Sequence, residues 1–314
     1  MSPALSVIFF TTVSGAGYGL LMLTGLLAPF RLAPASPWFG LAAVLFALAL
    51  ASAGLVSSTL HLSHPERAWR AVSQWRSSWL SREGLAALLT YPPAFAFLAA
   101  WFHAGRPDAA MAACGVLAAA AALGTVFCTA MIYASLRPVR QWSNAAVVPN
   151  FLLLAGFSGA LWLCFLARVF HAGWVVPSAL AMLFGSAGLA GKLAYWRLID
   201  QRPGESTIET ATGLGRLGRV RALDPPHTEE NYLLREMGFR IARKHASRLR
   251  ALALLVGFAL PVVLIAAGFA LPAVPALVLA IVAAVAALVG IFVERWLFFA
   301  EATHTVVLYY GRAA

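Results

Sequence analysis

Long apolar runs separated by short polar segments dominate this chain, and each run is long enough to form a membrane-spanning helix. Crossing the hydrocarbon core of a bilayer as an α-helix takes about 20 apolar residues. Runs of this kind occupy residues 4–28, 38–60, 84–103, 109–135, 147–170, 175–198, 250–271 and 273–298. The pattern predicts an all-α polytopic membrane protein: one domain, residues 1–314, folded as a bundle of eight transmembrane helices.

The composition agrees with this class. Of the 314 residues, 61% are hydrophobic and 11% are charged, whereas charged residues make up about 25% of an ordinary soluble domain. The first apolar run lacks a basic segment before it and a small-residue cleavage site after it. We therefore expect that run to be a retained helix and not a signal peptide.

The positive charges indicate an orientation in the membrane. Of the 23 Lys and Arg residues, 20 follow predicted helices 2, 4 and 6 or lie near the C-terminus, and three lie on the other side (Arg31, Arg106 and Arg168). The positive-inside rule then places both termini in the cytoplasm, together with a loop at about 199–249 between helices 6 and 7. We expect the protein to lie in the inner (cytoplasmic) membrane. Such a basic face suits anionic lipid headgroups or an acidic partner protein, and it does not favour a nucleic-acid role.

Within the long loop, the sequence predicts one amphipathic helix. Thr228 followed by Glu229 and Glu230 has the form of a helix start. Apolar residues then recur at helical spacing with basic residues between them, through Ile241. We expect this helix to lie on the membrane surface or to contact a partner.

The polar hairpin at residues 59–84 carries the first candidate chemistry. His61 ends predicted helix 2 and Glu83 begins predicted helix 3, so the two lie at the same membrane face. Ionisable groups at such positions often mark proton or ligand paths, although hydration by headgroup water is the simpler interpretation. Arg67, Arg82 and nearby tryptophans offer cations and aromatic walls for a quinone ring.

A second cluster lies near the C-terminus. If the last helix continues, Glu294, Glu301 and His304 fall near one face. One interpretation is a Glu294–Arg295 pair that reaches the interface, followed by a solvated tail; the other is that Glu294 or Arg295 lines the same cavity as His61 and Glu83. Lys192 is expected to be a topology anchor.

Other cofactors and functions are less favoured. The seven histidines lie at predicted boundaries, in the loop or in the tail, and the three cysteines lack CxxC spacing, so we expect no haem and no metal site. A secondary transporter would show matching halves and mid-membrane charges, which the sequence pattern does not suggest. A purely structural anchor remains an alternative.

Three segments resemble a known family: SVIFFTTVSGAGYGL, LHLSHPERAWRAVSQWRSSWLSRE and ERWLFFAEA. They are similar to the membrane-anchor subunits of dimethyl sulfoxide reductase-type molybdoenzymes. The resemblance covers nearly the whole chain. The 207–239 loop and the N-terminal segment look closer to the anchors of cytoplasmic membrane-bound sulfite dehydrogenases.

The resemblance implies a function. Anchors of this family bind quinone or quinol (menaquinone or ubiquinone) and dock an iron–sulfur subunit and a molybdopterin catalytic subunit, which hold the other cofactors. By motif, the family's quinol-binding histidine and glutamate fall on His61 and Glu83. The implied role is electron transfer from sulfite oxidation to quinone, and the alternative is quinol oxidation for an S-oxide or N-oxide reductase.

Overall fold

The computed structural model describes residues 4–59, 64–104, 108–201, 206–221, 223–224 and 241–310. Over these residues the fold is helical, with one isolated β-bridge, Val139–His304. The helices are α1 (Leu5–Leu27), α2 (Pro37–Thr59), α3 (Trp79–Ala104), α4 (Ala109–Ala134), α5 (Val147–Val169), α6 (Val175–Gln201), α7 (Ile208–Thr212), α8 (Ile241–Leu254), α9 (Leu260–Ala267) and α10 (Ala273–Ala300). Short 3₁₀ turns follow α1, α2, α7 and α10.

Eight spans in the described part of the chain are long and apolar enough to cross a membrane, as the sequence predicted. One of them, His245–Ala267, joins α8 to α9 through a π-helical turn at Leu255–Ala259. Pro261 follows that turn, and a proline without an N–H group commonly displaces helical hydrogen bonds in this way. The protein is therefore a multi-pass membrane protein.

Helix α1 lies at the centre of the bundle, in contact with α2, α4, α5 and α10. The approach of α1 to α5 depends on glycine: a Cβ atom at Gly19 would lie 1.8 Å from the carbonyl oxygen of Ala155. Small residues allow such close backbone packing between membrane helices. The polar side chains along α1 consequently face the interior of the protein.

One predicted boundary needs correction, and one condition set for the C-terminal cluster is not met. Helix α3 begins at Trp79, ahead of the predicted 84, so Glu83 lies inside the helix and not at its first residue. The last helix ends at Ala300 and does not continue to His304, because the segment after it pairs with the α4–α5 loop through the Val139–His304 bridge and a hydrogen bond from Thr305 N to Pro138 O (3.0 Å). Most of the predicted amphipathic helix, residues 225–240, lies outside the described residues.

Candidate functional site

Two buried carboxylates lie in the same half of the bundle. Successive spans alternate in direction, so the starts of α3 and α5 and the ends of α4, α6 and α10 meet at one end of the protein. Glu83 enters this half from α3 and Glu294 enters it from α10. Both are buried, at 5% and 0% exposure.

Glu83 is held by a neutral hydroxyl group. Thr129 Oγ1, from α4, donates a short hydrogen bond to Glu83 Oε1. The same hydroxyl lies 3.1 Å from the Thr125 carbonyl oxygen, which fixes its position on α4. Among the described residues, no cation forms an ion pair with Glu83.

Glu294 lies between two cations. Lys192 Nζ, from α6, contacts Glu294 Oε1, and Arg295 donates from Nε to Oε2 (2.5 Å) and from Nη2 to Oε1 (2.9 Å). The Arg295 guanidinium also lies over the rings of Phe151 (4.2 Å) and Phe298 (4.8 Å). We call Lys192, Glu294 and Arg295 the ionic cluster; it carries two positive charges and one negative charge.

The ionic cluster corrects two predictions. Lys192 is 1% exposed and paired with Glu294, so it is not a topology anchor at the interface. Arg295 is 2% exposed, so the interpretation of an interfacial Glu–Arg pair is wrong as well.

A small cavity connects the surroundings of the two carboxylates. Its volume is about 20 Å³, and α1, α4, α5 and α10 line it. Thr129, the hydrogen-bond partner of Glu83, forms part of one wall, and Arg295 forms part of another. Three buried polar atoms of the wall have no hydrogen-bond partner among the described residues: Thr12 Oγ1, Tyr18 Oη and Arg295 Nη1.

The structure thus brings Glu83 and the ionic cluster to one cavity, through Thr129 and Arg295. Glu83 itself is not among the residues that line the cavity, so the interpretation in which Glu294 or Arg295 lines the same cavity as His61 and Glu83 stays a prediction. His61 lies outside the described residues. Sequence reasoning missed Thr12, Tyr18 and Thr129, although the run of hydroxyl groups in FFTTVSGAGY was a usable signal.

The two arginines of the hairpin occupy different surroundings. Arg82 donates to the carbonyl oxygens of Trp75 (2.8 Å) and Arg76 (2.7 Å) and lies 4.2 Å from the centre of the Trp79 ring. It therefore ties the connecting segment to the start of α3. Arg67 is exposed on the 3₁₀ helix Pro65–Gln74, with its Nε 3.7 Å from Glu66 Oε1.

Helices α2 and α3 contact each other mainly away from the Glu83 end. At the far end Trp101 Nε1 donates to the Ala35 carbonyl oxygen (3.3 Å). Nearer the middle, the hydroxyl groups of Ser52 and Tyr91 form a hydrogen bond of 2.7 Å.

Beyond Tyr91 the two helices pack on different neighbours. Ser57 of α2 donates to the Ser6 carbonyl oxygen at the start of α1 (3.1 Å). Trp79 of α3 packs edge-on against Phe127 of α4, with ring centroids 5.9 Å apart. The end of α2 thus packs on α1, and the start of α3 packs on α4.

Eight apolar spans with an ionised interior define a polytopic membrane protein, and comparison with known proteins identifies its kind. The family model described as DMSO reductase anchor subunit (DmsC) matches residues 1–311. The chain belongs to this family, which confirms the resemblance stated above. It is also 36% identical to one of the subunits of sulfite dehydrogenase from Allochromatium vinosum, in an alignment of 335 positions that covers 100% of both chains. No solved structure matches the chain.

Proposed function

We propose that the protein is the quinone-reactive membrane anchor of a three-subunit molybdopterin oxidoreductase, and that this enzyme oxidises sulfite. Electrons from sulfite would reach the anchor through an iron–sulfur partner subunit. Sulfite and water give sulfate, two protons and two electrons, and quinone takes up two electrons and two protons to become quinol. The full-length similarity to a sulfite dehydrogenase polypeptide supports this choice of substrate.

The observation that carries the proposal is the environment of Glu83. A carboxyl group buried in a membrane span is costly and usually functional. Glu83 has one hydroxyl partner, Thr129, and no ion-pair partner among the described residues, so it can gain or lose a proton without disrupting an ion pair. That is the property required of a group that exchanges protons with quinone.

We place the quinone head group between the end of α2 and the start of α3, and not in the cavity. A cavity of about 20 Å³ has room for about one water molecule, and an aromatic ring is larger. The end of α2 precedes His61 in the chain, and the first turns of α3 carry Glu83. In this arrangement His61 and Glu83 hold and exchange protons at the quinone oxygens, with Arg67 and Arg82 supplying positive charge nearby.

The partners are proposed to dock on the cytoplasmic face of the inner membrane. The excess of Lys and Arg after helices α2, α4 and α6 supports this orientation. The basic face would attract an acidic iron–sulfur subunit, which in turn would hold the molybdopterin subunit. Glu294, in the ionic cluster, holds Lys192 and Arg295 in place on the interior side of the quinone site.

The family description favours one alternative. An anchor of an S-oxide or N-oxide reductase would have the same fold and would oxidise quinol, with electrons moving in the opposite direction. The substrate is bound by another chain, so the two functions are separated by assaying the complete complex.

The test is to purify the protein with its partners from the native membrane. Molybdenum, iron–sulfur clusters, two further polypeptides and sulfite-dependent reduction of a ubiquinone or menaquinone analogue are the expected results. Quinol-dependent reduction of an S-oxide without sulfite oxidation would establish the alternative. A protein that purifies alone, without molybdenum or clusters, would contradict both.

A matched pair of histidine variants tests the quinone site within that complex. We expect His61→Ala to abolish quinone reduction while the three subunits still assemble. His64→Ala is the control, since His64 is exposed and contacts Glu66 (3.0 Å) at the surface. Equal activity of the two variants, or loss of assembly in His61→Ala, would contradict a direct role for His61.

A further inference from the structure

Three unpartnered polar atoms converge on the cavity between the two carboxylates. Thr12, Tyr18 and Arg295 all line it, and the atoms Thr12 Oγ1, Tyr18 Oη and Arg295 Nη1 have no hydrogen-bond partner among the described residues. Their side chains are 4%, 2% and 2% exposed, respectively. They come from two different helices, α1 and α10, so their convergence is a property of the tertiary fold.

Leaving such atoms unpaired in a membrane interior is costly. Buried polar groups in proteins almost always have a hydrogen-bond partner, and no bulk water reaches the hydrocarbon region. A cavity needs roughly 10–15 Å³ to hold one water molecule, which needs two to four polar partners. This cavity, at about 20 Å³, meets both conditions.

The position of Arg295 is fixed from the opposite side. Glu294 accepts hydrogen bonds from Nε and Nη2, and Phe151 lies against the guanidinium plane. With two of its three nitrogens engaged, the remaining one, Nη1, belongs to the cavity wall. Lys192 completes the neutralisation of Glu294, so the ionic cluster positions a donor at the cavity.

We propose that the cavity is a built site for an ordered water molecule that connects Glu83 to the ionic cluster and relays protons to the quinone site. The water would bridge Tyr18 and Thr12 to Arg295, and Thr129 in the same wall connects it to Glu83. The relay role depends on the proposed function, whereas the water site depends only on the cavity. No electron moves in this step: for each proton that Glu83 delivers, the water passes one proton to the Thr129 hydroxyl, which passes its own proton to Glu83, and the water takes up a replacement proton from the aqueous phase. Arg295 stays charged throughout and only orients the water by donating to it.

The ionic cluster also has a side that approaches solvent. Lys192 Nζ lies 3.9 Å from the centre of the Tyr195 ring, and the Tyr195 hydroxyl donates to the Gln141 carbonyl oxygen (3.0 Å). Gln141 and Glu301 line an open pocket of about 530 Å³ at the end of the bundle.

The first test is an experimental structure of the purified complex at a resolution that shows water. We expect density in the cavity within hydrogen-bonding distance of Tyr18 Oη and Arg295 Nη1. A cavity without density would overturn the proposal. An anion in its place, shown by exchange with bromide and anomalous scattering, would overturn it as well.

The second test measures turnover in hydroxyl-deletion variants. Tyr18→Phe and Thr12→Val remove one water ligand each and keep the volume nearly constant. We expect each variant to slow quinone reduction about tenfold, which corresponds to the free energy of one hydrogen bond to a charged group. We also expect each to change the solvent deuterium isotope effect. Tyr91→Phe is the matched control, because it removes a partly buried hydroxyl that bonds Ser52 instead.

The outcomes separate this proposal from the proposed function. Tyr18→Phe with the rate and isotope effect of Tyr91→Phe would overturn the relay. A wild-type complex with water in the cavity but no quinone reduction would overturn the proposed function and the relay together, and would support the water site alone.

Discussion

The two buried carboxylates of this protein are held in opposite ways. Glu294 has a cation on each side, with Lys192 on Oε1 and Arg295 on both oxygens. Glu83 has one neutral hydroxyl, from Thr129. Both lie in the same half of the bundle and face the same small cavity through their partners.

The difference indicates a division of roles. A buried carboxylate enclosed by two cations is held ionised, because protonation would break charge-assisted hydrogen bonds and leave both cations uncompensated. A buried carboxylate with a hydroxyl partner retains that partner in either protonation state. Glu294 is therefore suited to fix the electrostatic field of the site, and Glu83 is suited to exchange protons within it.

The largest effect is expected from breaking the ionic cluster. Glu294→Gln leaves two buried cations without a counter-charge, which should destabilise the protein by about 3–5 kcal/mol. Lys192→Met, in contrast, leaves the Glu294–Arg295 pair intact and should cost clearly less. The measurement is the yield of assembled complex and the midpoint of its thermal unfolding.

Combining the two substitutions sharpens this prediction. The double variant, Lys192→Met with Glu294→Gln, retains Arg295 as the single charge of the cluster. We expect it to be more stable than Glu294→Gln alone, since residues in contact are not additive. Equal destabilisation by the two single variants would show that Glu294 is not the counter-charge for both cations.

The next effect concerns activity rather than stability. Glu83→Gln preserves the shape of the side chain and an oxygen that can accept from Thr129, so the complex should assemble. Loss of a proton-exchanging group should slow quinone reduction by about 100-fold or more. Glu66→Gln is the control, because Glu66 is an exposed carboxylate of the same hairpin that contacts His64 and Arg67; similar rates for the two variants would argue against a role for Glu83.

A smaller effect should follow from removing the hydroxyl partner. Thr129→Val keeps the volume and leaves Glu83 without its hydrogen-bond donor, so we expect quinone reduction to slow about tenfold, as for the loss of one hydrogen bond to a charged group. Thr90→Val, at the same α3–α4 interface, removes a hydroxyl that bonds Thr125 (3.1 Å) and does not contact Glu83. If both variants behaved alike in quinone reduction, the Thr129 contact would be structural only.

The sequence predicted the spans correctly, and it named both carboxylates, Glu83 and Glu294, as candidate site residues. Apolar runs of spanning length are local patterns, so all eight were detectable. Glu83 stood out because it interrupts such a pattern near a run boundary. The family resemblance then attached a role to it.

The ionic cluster could not be predicted because its partners are far apart in the chain. Lys192 and Glu294 are about 100 residues apart, and a lysine near the end of a predicted span looks the same whether it reaches the interface or a carboxylate in the interior. The convergence of Thr12, Tyr18 and Arg295 likewise depends on the close approach of α1 to α5 and α10, which periodicity does not encode. Pairings that depend on helix packing need the tertiary structure.

A third carboxylate at the same end, Glu301, lies between the two extremes. It follows the last residue of α10 and accepts from Arg250 Nε at 2.8 Å, while its Oε2 is buried without a hydrogen-bond partner among the described residues. Arg250 is shared with Asp200, to which it donates from Nη1 at 2.6 Å. Within the part of the chain that the structure describes, Glu301 thus has a single cationic partner, Arg250, which it shares with Asp200.

This arrangement makes a pH-dependent prediction of modest size. Burial raises the pKa of Glu301 above its ordinary value of 4.5, although Arg250 opposes the shift. An acid whose pKa is raised on folding stabilises the folded state fully below that ordinary value, and the contribution is lost as the pH rises through the raised pKa. Protection of residues 301–310 from hydrogen exchange should therefore decline over that window in the wild type and vary less in Glu301→Gln, which cannot ionise. Parallel pH profiles for the two proteins would mean that Arg250 neutralises Glu301 as completely as Lys192 and Arg295 neutralise Glu294. Of the three carboxylates, only Glu83 would then be able to change its charge.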